Sequence, residues 1–304
     1  MKKVALYSGQ GSQYVGMLSD YYQSNDSAKS MIDKADDLLG YSLSEICFSG
    51  PSEKLKETRY TQPAIFLHSA IANDLYNNNS KFEAVAGHSV GEYAALYSAG
   101  VISFEDALEL VSLRGELMFN TGELVPGTMY AVIGMDDEKL INLCKELNTD
   151  GNVVVPANFN SPGQIVISGT REYLRNNAGI FKENGARMAM ELPVSGAFHS
   201  PLMQPAKEEL EIAINKTKFN NSTIPVYNNV DANPETNAEI LKQKLITQLT
   251  SPVLWTQTLE NLNSDGYTDF IEIGPGNVLQ GLCKRTLQNI NISGIDKYQD
   301  LQNV

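Results

Sequence analysis

The chain has 304 residues, enough for one large or two smaller domains and for a sizeable buried core. Its 42% hydrophobic and 19% charged residues are ordinary for a globular protein, and a net charge of −13 argues against nucleic acid or an anionic membrane as partner, since both need a basic surface. Three widely separated cysteines, Cys47, Cys144 and Cys283, fall in no CxxC or Cys/His spacing, which suggests neither a disulfide framework nor a zinc site and predicts buried thiols of a cytoplasmic protein.

Val4-Ala5-Leu6-Tyr7 predicts the first strand, and the apolar run that follows Met1-Lys2-Lys3 stops at Ser8-Gly9, too early for a secretory segment. Helices are predicted over 27–39 and 61–75, a polar loop over 77–80, and a short buried strand over 82–86. Strands alternating with helices predict an α/β fold, a parallel sheet covered on both faces. No stretch is long enough to span a membrane.

Gly87-His88-Ser89-Val90-Gly91 comes next, between that strand and a helix starting near Glu92. This is the context of a nucleophile elbow, in which a sharp strand-to-helix turn presents the central serine clear of the backbone and the glycines allow close passage of the chain. Ser103-Phe104-Glu105-Asp106 then opens a helix with a serine cap and an acid three residues on. At 3.6 residues per turn Ala107, Leu110, Val111, Arg114 and Met118 share one face, with Glu109, Ser112 and Glu116 opposite. An inward guanidinium is costly unless it meets an anion. The partner is either an internal acid or, beside an acyl-transfer serine, a substrate carboxylate.

From Met129 the order is strand 130–133, helix 136–147, strand 153–155, a turn at Ser161-Pro162-Gly163, strand 164–168, helix 170–184 and strand 187–192. This βαββαβ order predicts a ferredoxin-like subdomain over 125–197, inserted into a larger domain made of 1–124 and 198–304, with a cleft between them as the substrate site. Of the three histidines, His88 is expected to pack beneath the elbow and His68 to be a core residue on an apolar helix face. His199 lies in the loop Ala197-Phe198-His199-Ser200-Pro201, where the chain returns to the cleft, and is the candidate general base.

Ser8-Gly9-Gln10-Gly11-Ser12-Gln13, Tyr60-Thr61-Gln62-Pro63, Gly87-His88-Ser89-Val90-Gly91-Glu92, Arg114-Gly115, the run from Pro156 through Asn158 to Gln164, Gly196-Ala197-Phe198-His199-Ser200, Gln248 before Ser251-Pro252-Val253, and Glu272-Ile273-Gly274-Pro275-Gly276 together span nearly the whole chain. In that order they resemble the signatures of the malonyl-CoA:acyl carrier protein transacylases. The resemblance implies an α/β-hydrolase-like core with a ferredoxin-like insert, and transfer of a malonyl group from coenzyme A to the phosphopantetheine thiol of acyl carrier protein through a malonyl ester of Ser89. It implies His199 as base, Arg114 as holder of the malonyl carboxylate, the N–H groups of Gln10 and Val90 as oxyanion donors, and the Gln248 carbonyl as the partner that orients His199. Gln62, Asn158 and Met118 join the substrate-binding set. So does Phe198, because in related acyltransferases a bulky residue before the histidine accompanies malonyl and a small one methylmalonyl.

No cofactor or metal is implied, and a monomer is expected. Tyr7-Ser8 departs from the more usual Phe-Pro, and Phe119 stands where many members carry glutamine, which would alter the cleft wall. An acidic carrier protein also calls for a local basic patch, with Lys182, Arg187, Lys284 and Arg285 as candidates. The competing readings are an acyltransferase or acyl hydrolase acting in trans on a polyketide assembly line, a serine esterase, a patatin-like hydrolase and a non-catalytic docking module. An esterase has no need of Arg114. The intact Ser89, His199 and Arg114 argue against a docking module, and Asp150-Gly151-Asn152 and Asp265-Gly266-Tyr267 do not fit the patatin pattern.

Overall fold

The computed structural model describes residues 2–77 and 82–303; most of the polar cluster at 77–80 falls outside them. The strands are β1 (Lys3–Tyr7), β2 (Ala84–Gly87), β3 (Gly127–Ile133), β4 (Val154–Ser161), β5 (Gln164–Thr170), β6 (Met188–Glu191), β7 (Val226–Tyr227), β8 (Pro234–Glu235), β9 (Asp269–Ile273) and β10 (Asn291–Ile295). They form two sheets.

The first sheet has the order β10-β9-β1-β2-β7-β8, parallel except for the terminal pair β7–β8. Its central strand β1 is buried from Val4 to Tyr7 because both of its faces are covered. Ala5 and Tyr7 join Val85, Ile271 and Ile273 on one side, against helices Thr58–Asn77 and Phe104–Leu124. Val4 and Leu6 join Ala86 and Phe270 on the other, against helices Trp255–Ser264 and Val278–Thr286. The helix expected over 61–75 starts three residues earlier, since the Tyr60 and Thr61 N–H groups already bond the Glu57 carbonyl.

The second sheet has the order β4-β5-β3-β6, antiparallel throughout. The β-α-β-β-α-β succession is present, with helices Asp137–Leu147 and Arg171–Glu183 between the strands. One face packs Val132, Ile165 and Ile167 on Leu140, Leu174 and Phe181 of those helices. The other carries Met129, Ala131 and Val166 into the core of the first sheet. β4 runs well past the three residues expected, because its register shifts at Pro156/Asn158 and again at Phe159/Ser161. Pro156 has no N–H to donate, and each bulge breaks the alternation by which a strand is recognised. β4 is tied to the loop before helix Trp255–Ser264 by bonds from Phe159 N–H to the Val253 carbonyl (2.9 Å) and from Val253 N–H to the Ala157 carbonyl (2.8 Å). The three thiols are buried. No helix among the described residues is long and apolar enough to cross a membrane.

Candidate active site

The parallel strands β1 and β2 end side by side at Tyr7 and Gly87, so the segments Ser8–Gln10 and His88–Val90 emerge at one edge of the sheet. In open α/β sheets the crevice beyond the carboxyl ends of the strands is where ligands bind. Ser89 stands between β2 and helix Gly91–Ser98 with φ 53°, a left-handed conformation that a non-glycine residue adopts only under constraint. The flanking glycines are required by space: a Cβ on Gly87 would lie 2.0 Å from the Gly91 carbonyl oxygen, and one on Gly91 2.2 Å from that of Tyr7. Asn229, fully buried, holds the turn from behind: its Oδ1 accepts the Ser89 N–H (2.7 Å) and its Nδ2 donates to the Gly87 carbonyl (2.7 Å).

His199, also at positive φ (56°), brings Nε2 to 2.8 Å from Ser89 Oγ. Its Nδ1 lies 3.1 Å from the Gln248 carbonyl and 3.2 Å from that of Ser251. Both are acceptors only, so Nδ1 carries the proton and Nε2 is free to accept the serine hydroxyl. Burial, and then the charge of Arg114, pull the imidazole down to about 3, which keeps it a neutral base at physiological pH. Ser200 Oγ donates to the Ala197 carbonyl and closes the loop that carries the histidine.

Arg114 is buried on the face expected for it. Its NH1 donates to Gln62 Oε1 (2.6 Å), and its NH2 to Gln248 Oε1 (3.0 Å) and Ser89 Oγ (3.1 Å), while Nε has no partner. None of the ion pairs among the described residues includes it. The internal acid that was one of its two expected partners is therefore absent from its contacts, and a full positive charge rests on neutral acceptors beside the serine.

A cavity of about 160 Å³ opens over Ser89 and His199, with Gln10, Asn158 and Phe198 in its wall and Met118 and Met129 beside them. Gln62 stands behind this wall, reaching Arg114 and the Met118 sulfur (3.2 Å). Among the described residues the N–H groups of Gln10 and Val90 have no partner within the chain, and Val90 directly precedes the helix Gly91–Ser98, whose dipole is positive at that end. Donors placed this way are suited to an oxyanion.

Two expectations differ. His88 lies at the cavity rather than beneath the turn, half-buried, with Nε2 2.9 Å from Asn160 Oδ1 and its ring edge-on to Trp255. Phe119 is not in the cavity wall; its ring lies under the Arg59 guanidinium at 4.6 Å. His68 is the core residue expected, fully buried with Nε2 2.8 Å from the Asp296 carbonyl. Lys182, Arg187, Lys284 and Arg285 are all exposed. Glu92 and Asn229 were not singled out by the sequence. An asparagine pair directly after β7 and an acid one residue past the elbow glycine were the only signals available.

A serine on a strand-to-helix elbow, a neutral histidine at hydrogen-bond distance and an unpaired buried arginine define an acyl-transferring serine enzyme. The chain matches the acyl transferase domain family over residues 4–301. It is 42% identical to the malonyl CoA-acyl carrier protein transacylase of Haemophilus influenzae, covering 99% of each chain. Among solved structures it is similar to an acyl carrier protein S-malonyltransferase from Vibrio cholerae (TM-score 0.94, 40% identity, covering 100% of this chain and 99% of that one). It is also similar to a malonyl-transacylase solved in complex with a type II PKS acyl-carrier protein (TM-score 0.94, 38% identity, 100% and 98%). The chain belongs to the family of malonyl CoA-acyl carrier protein transacylases.

Proposed function

We propose that the protein transfers malonyl from malonyl-CoA to the phosphopantetheine thiol of acyl carrier protein in two steps on Ser89. The observation that carries this reading is Ser89 Oγ held between His199 Nε2 (2.8 Å) and the guanidinium of Arg114 (3.1 Å), the latter with no internal anion. In the first step Ser89 Oγ attacks the thioester carbonyl while its proton passes to His199 Nε2. The tetrahedral oxyanion is received by the N–H groups of Gln10 and Val90, and collapse expels coenzyme A thiolate, which takes the proton back. In the second, the carrier thiol gives its proton to the same nitrogen and attacks the malonyl ester, returning Ser89 as the hydroxyl. Arg114 pairs with the malonyl carboxylate, and Gln62, Met118, Asn158 and Phe198 shape its pocket.

A carbonyl partner stabilises the imidazolium less than a carboxylate would, but a thioester is already an activated donor. An oxyanion donor typically supplies about 2.7–4 kcal/mol, comparable to the roughly 10²–10⁴-fold from a positioned base. The thioester also removes the need for a cofactor, and every proposed reacting group comes from one chain, which suits a monomer in the cytoplasm. All strands of the first sheet lie within 1–124 and 198–304 and all strands of the second within 125–197, which supports a catalytic domain and an inserted subdomain with those limits. The test is incubation with malonyl-CoA alone followed by mass spectrometry of peptides. A malonyl adduct on Ser89, absent from Ser89→Ala, and ping-pong kinetics are expected; an adduct at another residue would overturn the assignment.

A further inference from the structure

Gln248 does more than offer its backbone carbonyl to His199. Its side-chain amide is buried between three groups: Nε2 donates to Glu92 Oε2 (2.8 Å) and to the Ser89 carbonyl (3.0 Å), and Oε1 accepts Arg114 NH2 (3.0 Å). Glu92 Oε2, which also takes the Asn229 N–H, and a carbonyl oxygen are acceptors here, and a guanidinium only donates. The amide therefore has one satisfactory orientation, and turning it over would set oxygen against oxygen on one side and donor against donor on the other. Glu92 itself cannot drift. It lies in the first turn of helix Gly91–Ser98, is buried, and its Oε2 also accepts the N–H of Asn229 (3.0 Å), the residue that clamps the elbow.

We propose that Glu92 is a positioning residue for substrate recognition, which acts through the side-chain amide of Gln248 to hold the Arg114 guanidinium ready for the substrate carboxylate. This rests on the functional reading above. A carboxylate directly on Arg114 would occupy the planar fork and compete with the substrate. Placed one amide away, Glu92 orients the guanidinium without filling it.

The test is acylation of the purified enzyme by malonyl-CoA and by acetyl-CoA, with kcat and KM resolved for each. Glu92→Leu removes the acceptor and frees the amide. Its KM for malonyl-CoA is expected to rise and the malonyl-to-acetyl preference to fall at least about 10-fold, on the scale of a lost hydrogen bond to a charged group. Glu92→Gln keeps an oxygen in that place and should restore most of the preference. Gln248→Met should lose preference as Glu92→Leu does, and adding Glu92→Leu to it should cost no further preference, since coupled residues are not additive.

Equal loss of both donors in Glu92→Leu, no rescue by glutamine, or independent effects in the double variant would overturn the proposal. If Glu92→Leu does not fold, an unchanged preference in Gln248→Met overturns it equally. A wild-type enzyme with no preference for malonyl-CoA would overturn the functional reading first and this proposal with it.

Discussion

Two buried ionisable groups lie near the carboxyl edge of the parallel sheet, and the chain treats them differently. Glu272, fully buried on β9, accepts Ser8 Oγ (3.1 Å) and the Leu279 N–H (3.0 Å) on Oε1 and the Gln280 N–H (3.1 Å) on Oε2, the last two from the start of helix Val278–Thr286. Both of its oxygens are engaged by the protein, so it ties β1 and β9 to that helix. Arg114 has three neutral contacts, one empty nitrogen and no anion. A closed set of partners marks an ionisable group that serves the fold; an open set marks one kept for something that arrives from outside.

That contrast breaks or holds on four measurements. Arg114→Ala should weaken acylation by malonyl-CoA by about 2–5 kcal/mol in kcat/KM, the scale for truncating one partner of a desolvated charge pair, while acetyl-CoA is used as well as before or better. If Tm and both activities fall together, Arg114 serves the fold as Glu272 does. Phe198→Ser should raise methylmalonyl use relative to malonyl by no more than roughly 10–200-fold, since one methyl group in an apolar pocket discriminates only that far. An unchanged ratio places acyl selection elsewhere in the cavity.

Glu272→Leu is the mirror of the arginine variant. Denaturant titration should show a loss of about 1–3 kcal/mol for the donors left unpaired, with the malonyl-to-acetyl preference intact. A lost preference would show that Glu272 belongs to the substrate site.

The smallest effect is in the pH dependence of Tm. Burial lowers His68 to about 4 and His199 to about 3, and lowers His88, so each contributes stability that is present above the ordinary value of 6.5 and lost as the pH falls toward the folded value. Glu92 and Glu272 are raised by burial to about 7, so each contributes stability present below the ordinary 4.5 and lost as the pH rises through 7. Where those windows overlap the two sets oppose each other; below 4.5 the histidines act unopposed, joined by Glu105 and Glu191, whose carboxyls are held low by hydrogen bonds from Lys34 and Arg175. Tm should be nearly level from about pH 5 to 7 and fall most steeply below about 4.5. Glu272→Gln should tilt the level stretch downward on the acid side, and a plateau unaltered by that change would mean the carboxyl is not buried in its protonated form.

What was legible in the sequence was what short segments specify. Ser89 was marked by strand, glycine and helix in succession, Arg114 by the 3.6-residue period of its helix, and His199 by a loop after the last strand of the second sheet. The roles of Gln10, Val90 and Gln248 rested on resemblance alone, since a backbone N–H or carbonyl leaves no trace in residue type. Asn229 and Glu92 were missed because each works across the fold: Asn229 reaches Ser89 from 140 positions away, and Glu92 meets Gln248 over 156. The full length of β4 is hidden in the sequence because Pro156 and two register shifts interrupt its alternation.

The same crowding that shapes the elbow limits how the gene can vary there. Any replacement at Gly87 or Gly91 brings a Cβ to within 2.2 Å of a backbone oxygen, and backbone cannot step aside as a side chain can. Gly179 and Gly281, on helices with nothing within 4 Å of where a Cβ would sit, are open to every single-base change that yields a small residue. A random library of this chain should therefore recover variants freely at the second pair and none at the first, even when survival requires only that the protein fold.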